Sequence, residues 1–364
     1  MTRAELERAV LDWIAQGVDA PRDDARFDAL ALALFRLQHA GGAAYRRLCD
    51  AFGVAPADVR GWRQIPPVPT GAFKEARLAI FPPEATLRTF RTSGSSTDAR
   101  GALELDTLAL YDASLLATFG AFLCPDARRI PFLVLAPSAG ELQDSSLSYM
   151  FERAMREFGA EGSRFCVGAD GWSPDALIGE LAALRAPVLL AGTAFAFVHL
   201  LDALEARRMT LTLPAGTRVM ETGGFKGRSR ELTRDELHGG IARRIGVPRE
   251  RIVNQYGMCE LGSQFYEPSL RTGVASDCKV VPPWVRTRVL DPATLEDVAP
   301  GEAGVLVHYD LANTGSVLAV MTSDLGVAQD GGFRVLGRLR GAEARGCSLA
   351  ADALLERAGA GAAR

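Results

Sequence analysis

Lysine is almost missing from this 364-residue chain: Lys74, Lys226 and Lys279 stand against 38 arginines. Coding bias is the plain reading. The other is that an ammonium, not a planar guanidinium, is wanted at those places. An excess of either charge is also lacking, with 41 basic and 44 acidic residues. That balance gives no reason to expect nucleic acid or an anionic membrane as partner. No apolar run approaches the roughly 20 residues of a membrane span. The most apolar stretch, 186–201, is broken by Gly192, Thr193 and His199 and reads as a buried strand running into a helix. The N-terminus, Met1-Thr2-Arg3-Ala4-Glu5, lacks the basic-then-apolar pattern of a secretory signal. Cys49, Cys124, Cys166, Cys259, Cys278 and Cys347 form no CxxC pair and no Cys/His cluster, which argues against a zinc site. Without an export signal a disulfide framework is not expected either. The expectation is a cytoplasmic protein with reduced thiols, most of them small buried hydrophobes.

What is present is ordinary soluble-protein composition, 48% apolar and 23% charged. The length suits one large unit or two unequal domains. Residues 2–60 read as helices. Thr2 caps the first, whose apolar face is Leu6, Val10, Leu11 and Ile14. Others run from about Phe27 to His39 and Ala43 to Phe52. Pro66-Pro67-Val68-Pro69 then forces an extended connection. Beyond it short apolar runs alternate with amphipathic helices. Strands are expected near 130–135, 164–167, 188–191, 217–221 and 252–255, with helices near 145–158, 174–184, 194–206 and 230–245. This alternation predicts a mostly parallel sheet covered on both faces. Past residue 280 the runs 285–290, 304–309 and 333–336 alternate like exposed strands of an antiparallel or barrel-like lobe. The four histidines show no pairing pattern, and His199, beside Phe195 and Phe197, is expected as a satisfied core residue.

Four segments carry chemistry. In Arg91-Thr92-Ser93-Gly94-Ser95-Ser96-Thr97-Asp98-Ala99-Arg100-Gly101, hydroxyls and exposed N–H groups can wrap a polyphosphate that Arg100 neutralises. A Ser/Thr-rich surface turn has the same composition. In Glu221-Thr222-Gly223-Gly224-Phe225-Lys226, a strand ends in two glycines that admit a flat ring close to the backbone, or simply make a tight turn. Asn254-Gln255-Tyr256-Gly257-Met258-Cys259-Glu260 delivers an aromatic that can stack on a base and a carboxylate that can hold Mg²⁺. The alternative is a core tyrosine and a solvated glutamate. In Thr322-Ser323-Asp324-Leu325-Gly326, followed by Gly337-Arg338, the aspartate can accept both ribose hydroxyls and the arginine can bridge ribose and phosphate. A common Asp-x-Gly turn is the competing reading.

In order and spacing these segments resemble the adenylate-forming superfamily of acyl-CoA synthetases, luciferases and peptide-synthetase adenylation domains. Thr92 to Gly101 is similar to its hydroxyl-rich phosphate loop, Gly223-Gly224 to its adenine-side turn, and Tyr256-Gly257-Met258-Cys259-Glu260 to its Tyr-Gly-x-Thr-Glu motif. Asp324 matches its ribose-binding aspartate and Arg338 its hinge-region arginine. Pro69-Thr70-Gly71-Ala72-Phe73-Lys74, Asp144 to Met150, Thr222 to Gly227 and Arg345-Gly346-Cys347-Ser348-Leu349 narrow the likeness to the acyl-protein synthetases of bacterial luminescence operons. The resemblance implies an α/β fold: an adenylate-forming large lobe with parallel sheets flanked by helices, a β-rich barrel-like sub-lobe, and a C-terminal small domain missing or reduced to a stub. The expected divisions are 1–60 (helical), 61–280 (α/β core), 281–340 (β-rich) and 341–364 (stub).

The resemblance further implies an ATP- and Mg²⁺-dependent ligase. A carboxylic, fatty acid is adenylated and then moved to a thiol: Cys347, a carrier protein's phosphopantetheine, or coenzyme A. An acyl reductase is the implied receiving partner. Ser93, Ser95, Ser96 and Arg100 would cradle the phosphates, Glu260 would hold Mg²⁺, and Asp324 and Arg338 would fix the ribose. The sequence departs from the superfamily in places. Thr97 replaces a loop glycine, Arg100 a lysine, and Cys259 a threonine, which makes Cys259 a second candidate nucleophile. No lysine follows Lys279; an arginine, a partner's residue, Lys74 or Lys226 would be the source of the charge that the superfamily's late catalytic lysine supplies. Arg345 beside Cys347 would lower the thiol's pKa. Two rivals remain open: a CoA ligase of the phenylacetate-ligase type, and a non-adenylating acyl-binding scaffold.

Overall fold

The computed structural model describes residues 1–92, 100–168, 173–223 and 232–339. In chain order these form α1 (Arg3–Ile14), α2 (Asp24–Gly41), α3 (Ala43–Ala51), β1 (Val68–Pro69), α4 (Ala72–Glu75), β2 (Arg88–Arg91), β3 (Ala102–Leu105) and α5 (Ala109–Leu123). Next come β4 (Phe132–Leu135), α6 (Ser146–Phe158), β5 (Arg164–Phe165), α7 (Pro174–Ala183), β6 (Leu189–Thr193), α8 (Ala194–Ala206), β7 (Arg218–Thr222), α9 (Arg234–Arg244) and β8 (Ile252–Tyr256). The last are β9 (Phe265–Tyr266), α10 (Ser269–Thr272), β10 (Lys279–Val280), β11 (Val285–Leu290), β12 (Ala303–Asp310), β13 (Ala319–Gln329) and β14 (Gly332–Arg338). Two compact units result. Unit one holds Met1–Ala117, Met258–Ser263 and the described part of Val280–Arg364; unit two holds Thr118–Gly257 and Gln264–Lys279.

Unit one begins with a capping box. The Thr2 hydroxyl accepts the Glu5 N–H at 3.3 Å, and the Glu5 carboxylate accepts the Thr2 N–H at 2.8 Å. The buried face of α1 is Leu6, Val10, Trp13 and Ile14. Trp13 takes the place expected for Leu11, because positions 6, 10, 13 and 14 follow the helical i, i+4, i+7 stripe. The proline run stays extended, and β1 pairs in parallel with Val320–Met321 of β13. Strands β11, β12, β13 and β14 form an antiparallel meander in that order. The Asp-x-Gly turn reading is wrong: Asp324-Leu325-Gly326 lies inside the 11-residue β13. Gly326 is needed there because a Cβ would sit 2.6 Å from Leu306 Cδ2 and 2.7 Å from the Arg334 carbonyl. The register shifts beside it, between Leu325 and Gly326.

Unit two is built on a sheet of strand order β5-β4-β6-β7-β8-β9. The first five strands are parallel, as expected, and β9 is antiparallel. Helices α7, α8 and α9 cover one face, burying Leu177, Phe197, Leu200 and Ile241 with Leu133, Leu190 and Val219. Each such side chain contributes about 1.5–3 kcal/mol when removed from water. Phe132 alternates with Leu133 and points to the opposite face, where its ring stacks 5.7 Å from Phe119, which stacks in turn on Phe158. His199 is exposed, not a core residue: it lies on the outer side of α8, its ring edge-on to Phe195 at 4.4 Å. No helix among the described residues is long and apolar enough to cross a membrane.

Candidate active site

The hydroxyl-rich segment falls between β2 and β3 in the chain. Strands β2 and β3 pair antiparallel, with Arg91 opposite Ala102. Just beyond, the Thr92 N–H donates to the Gly101 carbonyl and the Gly101 N–H donates to Thr92 Oγ1, both at 2.9 Å. Arg100 Nε donates to the Thr92 carbonyl at 2.6 Å. Thr92 and Arg100 are thus tied to each other at the two ends of the segment, and a Cβ at Gly101 would press on Thr92 at 3.2 Å. Ser93, Gly94, Ser95 and Ser96 lie outside the described residues, as do Gly224, Lys226 and Cys347.

Also in unit one, Asp324 and Arg338 face each other across β13 and β14. Arg338 Nε donates to Asp324 Oδ1 at 3.2 Å. The carboxylate side chain is only 12% exposed, whereas the arginine is 71% exposed. The aspartate is thus held by the sheet, while its partner reaches into solvent. Met258–Ser263 carries Cys259 and Glu260, both buried. A solvated glutamate is therefore not what the structure contains. Lys74, on the short α4, is exposed.

In unit two the other two turns leave neighbouring strands. Strands β7 and β8 are parallel and adjacent, with Thr222 opposite Gln255. The Thr222 hydroxyl is hydrogen-bonded to the Gln255 carbonyl and to its side-chain oxygen. Both turns thus start at the same level of the sheet, at the carboxyl ends, where open α/β sheets bind ligands. Gly223 has φ +79° and open space where a Cβ would point, so a flat ligand can lie against its backbone. Tyr256 is half-buried, its ring 6.0 Å from Phe265, and a Cβ at Gly257 would fall 2.5 Å from Gln255 Nε2.

The sequence reading missed one network here. Glu221, at the penultimate position of β7, is buried with His238 of α9, whose Nε2 lies 2.9 Å from Glu221 Oε1. Asn254 Nδ2 donates to the same oxygen at 2.6 Å. Seventeen residues separate the pair, and only the strand-to-helix return brings them together. A second network sits at β8: Glu267 accepts Lys279 Nζ at 2.6 Å, Arg234 at 2.8 Å and the Asn254 N–H at 3.0 Å.

The thiols differ sharply in character. Cys49, Cys124, Cys166, Cys259 and Cys278 are free. Two of them, Cys49 and Cys259, are buried and three are half-buried. Burial pushes the Cys49 thiol up to about 12 and Cys124 up to about 11. Neither holds a useful thiolate fraction at neutral pH, so neither is a nucleophile.

As to a metal, no group of three His, Cys, Asp or Glu side chains is placed to hold an ion among the described residues. Glu260 offers one buried carboxylate. That donor set fits Mg²⁺ bound together with substrate phosphates, since Mg²⁺ keeps several waters and takes only one or two protein carboxylates.

A family profile described as acyl-protein synthetase, LuxE, matches residues 3–355. The chain is 24% identical over 276 residues to the long-chain-fatty-acid–luciferin-component ligase of Aliivibrio fischeri, covering 73% of this chain and 70% of that protein. It is 22% identical over 294 residues to the Vibrio harveyi protein of the same name, covering 79% and 75%. Among solved structures, 2-hydroxyisobutyryl-CoA ligase in an open conformation with 2-HIB-AMP and CoA is similar at a TM-score of 0.64 and 15% identity. That match covers 86% of this chain and 70% of the ligase, and it shows that the two share a fold.

Proposed function

Because the chain belongs to the acyl-protein synthetase family, we propose that it activates a long-chain fatty acid with ATP and passes the acyl group to a thiol. The observation that carries this reading is the pair of turns after β7 and β8, which leave adjacent parallel strands at one level. One begins at an open glycine of positive φ and the other follows a half-buried tyrosine at the end of β8.

In the first step a carboxylate oxygen attacks the α-phosphorus of ATP, the P–O bond to pyrophosphate breaks, and an acyl-adenylate forms. The barrier falls mainly through positioning and charge neutralisation. Gly223 and Gly224 receive the adenine face and Tyr256 stacks on it, while the Gly257-Met258-Cys259 backbone borders the nucleotide. Asp324 accepts the ribose hydroxyls and Arg338 bridges toward phosphate. Thr92, Ser93, Gly94, Ser95, Ser96 and Arg100 surround the β- and γ-phosphates. Glu260 would hold Mg²⁺, which supplies charge neutralisation. In the second step a thiolate attacks the acyl carbonyl and AMP leaves. Cys347 is the assigned thiol, with Arg345 lowering its pKa, and an acyl reductase then takes the acyl group. Lys226 supplies a catalytic ammonium.

The test is acid-dependent exchange of labelled pyrophosphate into ATP across fatty and aryl acids. Exchange with long-chain fatty acids is expected; exchange with no acid sinks the reading. Labelled acyl-enzyme that disappears in Cys347→Ser assigns the thiol. A label that persists there but vanishes in Cys259→Ser moves the role to Cys259. Free CoA thioester with no labelled enzyme replaces the synthetase by a CoA ligase.

A further inference from the structure

The segment Met258–Ser263 has little regular structure of its own; within it, the Leu261 N–H donates to the Met258 carbonyl at 3.3 Å. It is held instead by the turn that follows β12. Asn313 Nδ2 donates to the Glu260 carbonyl at 2.9 Å. The Ser263 hydroxyl donates to Asp310 Oδ1 at 2.8 Å, and the same oxygen accepts the Ala312 N–H at 2.9 Å. Trp284 Nε1 donates to Ser263 Oγ at 3.1 Å and to Ser114 Oγ at 3.0 Å. The packing is close enough that a Cβ at Gly262 would lie 3.0 Å from both Ala312 Cβ and Asn313 Oδ1. Asp310 and Asn313 are each 1% exposed.

The turn itself is fixed from a third direction. Gln38 of α2 is fully buried. Its Nε2 donates to the Asn313 carbonyl at 2.8 Å, and its Oε1 accepts the Leu318 N–H at 2.8 Å. Glu7 of α1 accepts the Thr314 hydroxyl at 2.9 Å. The helices at the start of unit one therefore anchor the 310–318 turn, and the turn anchors the backbone on both sides of Leu261.

We propose that Asn313 and Asp310 are positioning residues for Glu260, fixing its backbone and hence the place its carboxylate occupies. The inference rests on the reading above for what Glu260 holds, but the positioning itself can be measured without it. An unanchored glutamate samples several backbone states, and a ligand that needs one of them binds more weakly by the fraction of time that state is populated. The anchoring side chains described here lie some fifty residues later in the chain, at the end of β12 and in the turn after it.

The first experiment is hydrogen–deuterium exchange on the full chain without substrates. In Asn313→Ala, amides of 258–263 should exchange on the order of ten-fold faster, the equivalent of one net hydrogen bond, while those of β4 and β6 stay unchanged. Asn313→Asp keeps the side-chain size and removes the same donor; it should show the same local rise and serves if the alanine variant does not fold. Unchanged exchange at 258–263 in the folded variant overturns the proposal. The second experiment is the Mg²⁺ concentration giving half-maximal pyrophosphate exchange. Asn313→Ala and Glu260→Gln should each raise it on the order of ten-fold, and the double variant should raise it no further. Effects that multiply in the double variant, or a lowered melting temperature with unchanged Mg²⁺ dependence, reduce Asn313 to a structural role and overturn the proposal. If the parent protein shows no acid-dependent exchange, the functional reading fails and the amide measurement alone decides the positioning claim.

Discussion

Replacing Lys279 by methionine strips the ammonium from a deeply enclosed ion pair of unit two. Glu267 is fully buried, its side chain 0% exposed against 3% for Lys279, and the two charges are 2.6 Å apart. Removing one partner of such a pair costs about 3–5 kcal/mol, because the surviving charge is left without water. Glu267 does not lose everything: Arg234 remains at 2.8 Å, but its side chain is 33% exposed and its field is partly screened. The Asn254 N–H also remains. The expected loss is therefore at the lower end, about 3 kcal/mol. Urea denaturation followed by far-ultraviolet circular dichroism reads it as a lowered midpoint. The companion Glu267→Gln/Lys279→Met removes both charges and keeps an acceptor for Asn254, so it should recover more than half of the loss. A single variant within about 1 kcal/mol of the parent, or a double variant no more stable than the single, refutes the argument that the stranded charge dominates.

Three further outcomes are expected. Burial raises the Asp310 carboxyl from its ordinary value of 3.8 to about 6, against hydrogen bonds from Ser263, Ala312 and Gly262 that pull it down. The native state thus holds this proton more tightly than the unfolded chain. Its contribution, about 3 kcal/mol at the limit, is complete below about pH 4 and is lost as pH rises through 6. Asp310→Asn should flatten that part of the stability–pH curve, and an unchanged slope between pH 4 and 6 would count against the shift. Gly223→Ala meets no atom but forces an alanine to φ +79°. It should cost about 1–2 kcal/mol and raise the KM for ATP without moving the KM for the acid; equal rises in both KM values contradict the assignment. Thr2→Ala removes the cap of α1 and should cost about 1 kcal/mol, seen as a lower melting temperature that Thr2→Ser restores.

Periodicity exposes the parallel strands of unit two because they are buried on both faces and read as unbroken apolar runs: Phe132 to Leu135 and Leu189 to Ala191 have no polar member. The same rule hides α5. Ala109–Leu123 is apolar nearly all round, with Asp112 its only charged residue, so no stripe marks it as a helix. Strand β13 is hidden for the opposite reason. Thr322, Ser323, Asp324 and Gly326 imitate a turn, and only the neighbours β12 and β14 show that the glycine serves close packing and a register shift. Single residues of the candidate site were legible by type and spacing. What holds them was not: Asn313 on the Glu260 carbonyl and His238 on Glu221 join residues 53 and 17 positions apart. Such pairings are decided by topology, to which local pattern is blind. His199 was misjudged because a run of apolar neighbours says nothing about which side of the helix one position takes.

The chain enters unit two at Thr118, leaves it for Met258–Ser263, re-enters at Gln264 and leaves again at Val280. A gene fragment for either body must therefore be spliced from separate stretches, and no lone truncation isolates one intact. Complementation between two halves split at any one peptide bond would have to rebuild at least one body from both fragments. Designers who wish to alter one body by exchanging a contiguous cassette thus face a knitted polypeptide, in which six residues inside one body's sequence are structural property of the other.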